Sequence, residues 1–165
     1  MKFSFEVVKI PQLSGNRASF YTAYMSDDET SLFDQFLAKN SRDHLSELEK
    51  ILDGITTMAN KTGARDDFFE KYEGLKIGEG VYALYAKQLR LYCFRIDNHI
   101  VLLGGGGWKT VAKWQDDTQL ATDVNRVRFI AQQIDARIRN RDIRRSPDDL
   151  NLIGDLTFDF DDDID

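Results

Sequence analysis

Residues 89–110, LRLYCFRIDNHIVLLGGGGWKT, gather the side chains best suited to phosphate chemistry in this chain. Arg90, Tyr92 and Phe94 alternate with Leu89, Leu91 and Cys93, so on an extended strand the first three share one face. A guanidinium pairs bidentately with phosphate, and aromatic rings stack on unpaired bases. With Tyr85 from the preceding apolar run, such a face can hold single-stranded RNA. The same alternation also serves a half-buried sheet face, and the sequence leaves both readings open.

Glycines 104–107 follow, and then Trp108 and Lys109. A Walker-type phosphate loop needs a glycine directly before its lysine and a helix directly after it; here Trp108 precedes Lys109 and VAKWQDD follows. A dinucleotide fingerprint fails too, because the surrounding order is not strand–helix–strand with a downstream acid. Two compatible uses are left. The glycines can form a bulge or wide turn at a sheet edge, or they can bare the backbone so that phosphate meets N–H groups and the charge of Lys109. On the functional reading Gly106, Gly107, Trp108 and Lys113 join Tyr92 and Phe94 as RNA-binding residues.

The other reactive side chains are sparse. His99 sits beside a hairpin turn and His44 at a helix start, where surface or capping roles are the ordinary ones. Cys93 is a lone thiol in a strand, expected to be buried rather than disulfide-bonded or metal-binding. No cluster has metal-ligand spacing, so neither a metal nor a cofactor is expected.

The elements that would position these residues are legible from periodicity. Residues 2–10 and 17–25 alternate as two antiparallel strands around the loop PQLSGN, and SDDE offers caps for a short helix through Leu32 to Leu37. Leu45, Leu48, Ile51, Leu52, Ile55 and Met58 form one stripe of a helix over 43–60, with Gly63 suited to its end. DDFFEKYEG begins with a short helical turn and leads back toward the sheet. Strands at about 81–86, 89–97 and 99–104 make a meander joined by Lys87-Gln88 and Asp97-Asn98. A long helix then covers about 118–141, capped by Asp116 or Asp117.

Charge is distributed unevenly. The whole chain carries −6, but eight aspartates lie between Asp148 and Asp165 with no lysine or arginine among them. The remaining 22 basic and 20 acidic residues leave residues 1–147 slightly basic, and RIRNRDIRR at 137–145 supplies five of the arginines. The expected organisation is a domain over 1–147 and an acidic tail over 148–165. In the tail, LNLIGDLTFDF reads as a strand or docking peptide that can add to the sheet or cover the basic face. No apolar run is long enough for a membrane span and MKFSFEVVKI is not a signal peptide, so a cytoplasmic location is expected.

The order of these elements from Tyr72 to Ile134 resembles the RelE/ParE-like toxins of bacterial type II toxin–antitoxin pairs, nearest the HigB-like branch. The resemblance rests on Glu73-Gly74, the strand 81–86, LRLYCF, HIVLLG, the step from Gly107 to Lys109 and the helix from about Thr118. The first forty residues match more loosely. Family members often carry lysine or arginine where this chain has Ala83 and Tyr85, and a basic pair where it has Trp108, Lys109 and Thr110.

The resemblance implies an α+β fold, a small RelE-like domain with an antiparallel sheet of about four to six strands and helices packed on one face. It also implies a DNA-binding antitoxin as partner and cleavage of mRNA on the ribosome, as a metal-independent endoribonuclease or mRNA interferase. By position, Arg90 matches the arginine that contacts the scissile phosphate and Lys109 the basic residue after the glycine. Metal-free cleavage needs deprotonation of the 2′-OH, stabilisation of the phosphorane and protonation of the 5′-oxygen. Arg90 and Lys109 suit charge stabilisation, Lys109 can serve as acid, and Tyr85 is the candidate for the other proton transfer. The alternative is a non-catalytic relative on the same fold, a gyrase inhibitor or regulatory binder.

Overall fold

The computed structural model describes residues 2–70 and 80–160; Glu73-Gly74 and the terminal DDDID lie outside the described residues. Strand β1 (Phe5–Lys9) pairs antiparallel with β2 (Ser19–Met25), Phe5 opposite Met25 and Lys9 opposite Tyr21. The short β3 (Thr30–Ser31) folds back on β2 and feeds helix α1 (Leu32–Asn40). The cap is Ser31, whose Oγ accepts from the Asp34 amide at 3.0 Å, and not a residue of SDDE. Helix α2 (Leu45–Thr57) runs on through a wider turn to Thr62 and stops at Gly63, whose φ of 78° suits glycine.

The meander follows as β4 (Val81–Ala86), β5 (Leu89–Arg95) and β6 (Ile100–Trp108). Lys87 takes the left-handed conformation in the two-residue β4–β5 link, and Asp97 Oδ1 accepts from the His99 and Ile100 amides in the β5–β6 turn. Helix α3 (Thr118–Arg139) starts where expected, with Asp117 Oδ1 accepting from the Leu120 amide. The chain then makes β7 (Ile143–Arg145), β8 (Leu152–Gly154) and β9 (Thr157–Phe158).

The fold is α+β with a mostly antiparallel sheet, in the order β4-β5-β6-β2-β1-β9 with β3 attached to β2; β7 and β8 form a separate ribbon. Two features depart from expectation. Among the described residues the sheet has seven strands, with β2 and β6 parallel. The helices cover both faces rather than one. Leu89, Leu91 and Cys93 of β5 pack with Phe33, Phe36, Leu48, Ile51 and Ile55 of α1 and α2. Tyr92 and Phe94 pack on the other face with Val124, Val127, Ile130 and Ile134 of α3. Each such side chain removed from water contributes about 1.5–3 kcal/mol, so the two-layered burial of β5 and β6 holds the sheet's centre.

Residues 148–160 contribute Leu152 and Phe158 to this core, with Leu156 and Phe160 packed against it. β9 adds to β1 with Phe158 beside Phe5, their rings stacked at 4.5 Å. Arg137 lies over the Phe158 ring at 3.6 Å and donates to the Asp155 and Thr157 carbonyls at 3.0 and 2.6 Å. The Leu152 amide donates to the Tyr21 hydroxyl at 2.9 Å. The described part of the acidic segment, residues 148–160, therefore does add to the sheet through β9, at the edge opposite β4 and away from the Arg90 corner; a boundary at 147/148 cuts through packed structure.

Candidate nucleic-acid interface

The glycine run is strand, not loop. Opposite β5 the register steps from Leu91↔Gly106 to Cys93↔Leu103, so Gly104 and Gly105 together face Tyr92. That is a β-bulge, and it sits mid-sheet rather than in an edge turn. Val127 of α3 occupies the space a Cβ on Gly104 would need, and the Arg90 carbonyl oxygen occupies that of Gly106.

The bulge coincides with a split in the sheet. β2 pairs with β6 from Ser19↔Ile100 to Thr22↔Leu103, and among the described residues no strand continues that pairing along 104–108. After β2 the chain passes to α1 on one face, and after β6 to α3 on the other. The carboxyl ends of this parallel pair therefore form a topological switch point, the place where open α/β sheets leave a ligand-sized crevice. A groove runs there along the free edge of β6. One end is lined by His44, Trp108, Gly107 and Leu120; the other by Lys39, Gly105, Gly106, Asp123 and Arg126. Lys39 Nζ donates to the Gly106 carbonyl at 3.4 Å and lies 3.2 Å from where a Cβ of Gly107 would stand.

On the other side of β6 is the corner expected from the sequence. Tyr85 and Arg90 are cross-strand partners, Arg90 is paired in turn with Gly107, and the guanidinium lies 5.4 Å from the centre of the Tyr85 ring. Arg90 Nη1 donates to the Lys87 carbonyl at 2.6 Å, and the Tyr85 side chain is exposed. The Lys109 amide donates to the Gln88 carbonyl at 2.7 Å, which pins the end of β6 to the β4–β5 link, and the residue is buried. Lys109 is thus brought to the same corner as Arg90 and Tyr85 but is not presented to solvent beside them.

An open aromatic face is not what the fold builds. Tyr92 is 0% and Phe94 3% exposed because α3 lies over them, so neither can stack on a base. Gly106 and Gly107 are covered on the sheet face and reach the groove through the strand edge. Trp108 is half-buried and Lys113 exposed on the loop leading to α3.

Three groups at the site were not picked out from the sequence. Lys39 arrives from α1 and Asp123 from α3, elements read only for their apolar stripes. His44 makes no side-chain cap bond; its ring stacks on Trp108 at 4.2 Å, which brings an imidazole beside the end of the glycine run. His99 stays at the far turn, its Nδ1 3.3 Å from the Arg17 carbonyl. Cys93 is fully buried, and burial pushes its thiol far above the ordinary range, so it is no nucleophile. Among the described residues no group of His, Cys, Asp and Glu could hold a metal ion, and no helix is long and apolar enough to cross a membrane.

Asp123 is 6% exposed, and its Oδ2 has no hydrogen-bond partner, while Oδ1 accepts from Gln119 Nε2 at 3.3 Å. Burial raises its carboxyl above the ordinary aspartate range, Asp117 adds to that, and Lys39, Gln119 and Arg126 oppose it. The folded protein then holds this proton more tightly than the unfolded chain. Ionising Asp123 therefore costs stability, a cost absent in acid that grows as pH rises above the unfolded value and is complete above the folded one. Asp123→Asn is expected to be more stable than the parent at neutral pH by about 1 kcal/mol, a few degrees in melting temperature, with the gap closing in acid. Thermal unfolding of both proteins across a pH series measures this.

No protein-family model matches the chain, and neither a curated protein nor a solved structure matches it.

Proposed function

We propose that the chain is a RelE-like toxin that binds single-stranded RNA along the free edge of β6 and cleaves it without metal. One observation carries this reading: Gly107, with no side chain, lies between Arg90 on the neighbouring strand and Lys39 from α1. A phosphodiester over that strip meets bare backbone with a cation on either side, which positions the phosphate and stabilises charge built up on it. Tyr85 against Arg90 and His44 against Trp108 are this reading's candidates for proton transfer. Lys109 acts chiefly by holding the end of β6. The ribosome and a DNA-binding antitoxin are the partners this reading carries.

Arg90→Ala and Tyr85→Phe are expected to fold like the parent, since Tyr85 is 50% exposed and Arg90 only partly covered. Induced expression in a bacterium is the assay, read as growth and as mapped transcript ends. Growth arrest with new in-frame ends is expected for the parent, with cleavage falling at least roughly 100-fold in Arg90→Ala. Arrest with no new ends would replace the nuclease by a binder of gyrase or another protein. That reading is favoured by one fact, that the guanidinium of Arg90 is already engaged by a backbone carbonyl.

A further inference from the structure

The end of the groove away from Trp108 narrows to a crevice of about 60 Å³ between α1, the bulge and α3, too small for a nucleotide but open to the edge of a flat ring. Asp123 lines it, with Oδ2 buried and unpartnered and the carboxylate held against Gly105, whose Cβ would stand 3.0 Å from Asp123 Oδ1. Lys39 and Arg126 line it, with Gln119 at the rim. A buried carboxylate oxygen without a donor is costly, and here Oδ1 receives one from Gln119 while Oδ2 is hydrogen-bonded to neither Lys39 nor Arg126. Two cations beside it disfavour a third, so the missing partner is a neutral group that brings N–H donors to Asp123 and an acceptor to Lys39 or Arg126.

From this arrangement we propose that the crevice reads a guanine base of the bound RNA, Asp123 accepting from N1–H and N2–H and Lys39 or Arg126 donating to O6. Among the four RNA bases guanine alone places two adjacent donors and a carbonyl on one edge. Adenine and cytosine turn ring-nitrogen lone pairs toward the carboxylate, and uracil flanks its single donor with two carbonyls. Unpaired bases are read on this edge in single-stranded RNA generally. Gly105 and Gly106 matter here because a side chain on either would enter the crevice or the strand behind it. Ribose and phosphate stay outside, and the next phosphate lies over Gly107. The proposal rests on the RNA reading above and names its base preference.

The test is binding of GMP, IMP, AMP, CMP and UMP, and of guanine-containing and guanine-free trinucleotides, to the full chain and to Asp123→Asn by calorimetry. GMP is expected to bind roughly 10-fold or more tighter than AMP, CMP or UMP. IMP, which lacks the N2 amino group, should fall between, and this comparison needs no protein variant. Asp123→Asn should level the series, and the guanine-containing trinucleotide should bind more tightly than GMP. Equal or undetectable affinities for all nucleotides, a preference that survives in Asp123→Asn, or GMP bound without guanine-containing RNA would each overturn the proposal. The two readings separate cleanly. Transcript cleavage with no guanine preference removes the crevice and leaves the nuclease, whereas guanine selectivity with no cleavage removes the nuclease and leaves the crevice.

Discussion

Gly106→Ala is expected to lose about 3 kcal/mol or more of stability, one of the two largest effects foreseen for this chain. A Cβ on Gly106 would fall on the Arg90 carbonyl oxygen and press on the Leu91 Cα, and neither belongs to a side chain that can rotate away. Relief requires β5 and β6 to separate at the bulge, in a sheet whose two faces are both packed. Gly54 supplies the control. It lies inside α2, a Cβ there would meet nothing within 4 Å, and Gly54→Ala should stabilise by roughly 0.5–1 kcal/mol through helix propensity alone. Urea unfolding of both variants decides the matter. A Gly106→Ala midpoint equal to the parent's would mean that the strand beside the bulge accepts a side chain, and the case for a bared strand edge would go with it.

The contrast between those glycines shows what was legible from the chain. The α2 and α3 stripes, the cap at Asp117 and the meander follow from local periodicity and turn chemistry and are found close to their expected limits, except that β6 runs past its expected end through the glycines to Trp108. The second helical layer was also written there, in a form that was read too narrowly. LYCF in β5 and IVLL in β6 are apolar at every position, the pattern of strands covered on both faces. Treating Tyr92 and Phe94 as an open face required α3 to lie elsewhere. The parallel pairing of β2 with β6 has no local signal, since it joins residues about eighty positions apart. The groove inherits that opacity. Arg90, Tyr85 and Gly107 meet through neighbouring strands and could be placed together from the meander, whereas Lys39, His44 and Asp123 come from three different helical elements. Only the switch point created by β2 and β6 brings them to one edge.

Phe158→Ala is expected to cost about 3–5 kcal/mol, and a chain ending at residue 147 is expected not to fold cooperatively. Phe158 is 1% exposed and stacked flat on Phe5, with Arg137 over its ring. Removing it opens a cavity beneath β1 and strips Arg137 of its aromatic partner. The 1–147 chain additionally loses Leu152, the bond from its amide to the Tyr21 hydroxyl, and the β9 partner of β1. Taken together those losses match the whole stability of an ordinary domain of this size. Circular dichroism melts of Phe158→Ala and the shortened chain measure the effect, and growth arrest on induction of the shortened chain gives a second readout. An inhibitory acidic arm laid over the Arg90 corner would give the opposite pair of results, with melting unchanged and activity increased. The sheet order argues against that outcome, since β9 and β4 are its two opposite edges. Asp155 and Asp159 therefore flank a short strand whose Phe158 closes the core, and Arg137 near the end of α3 holds that strand in place.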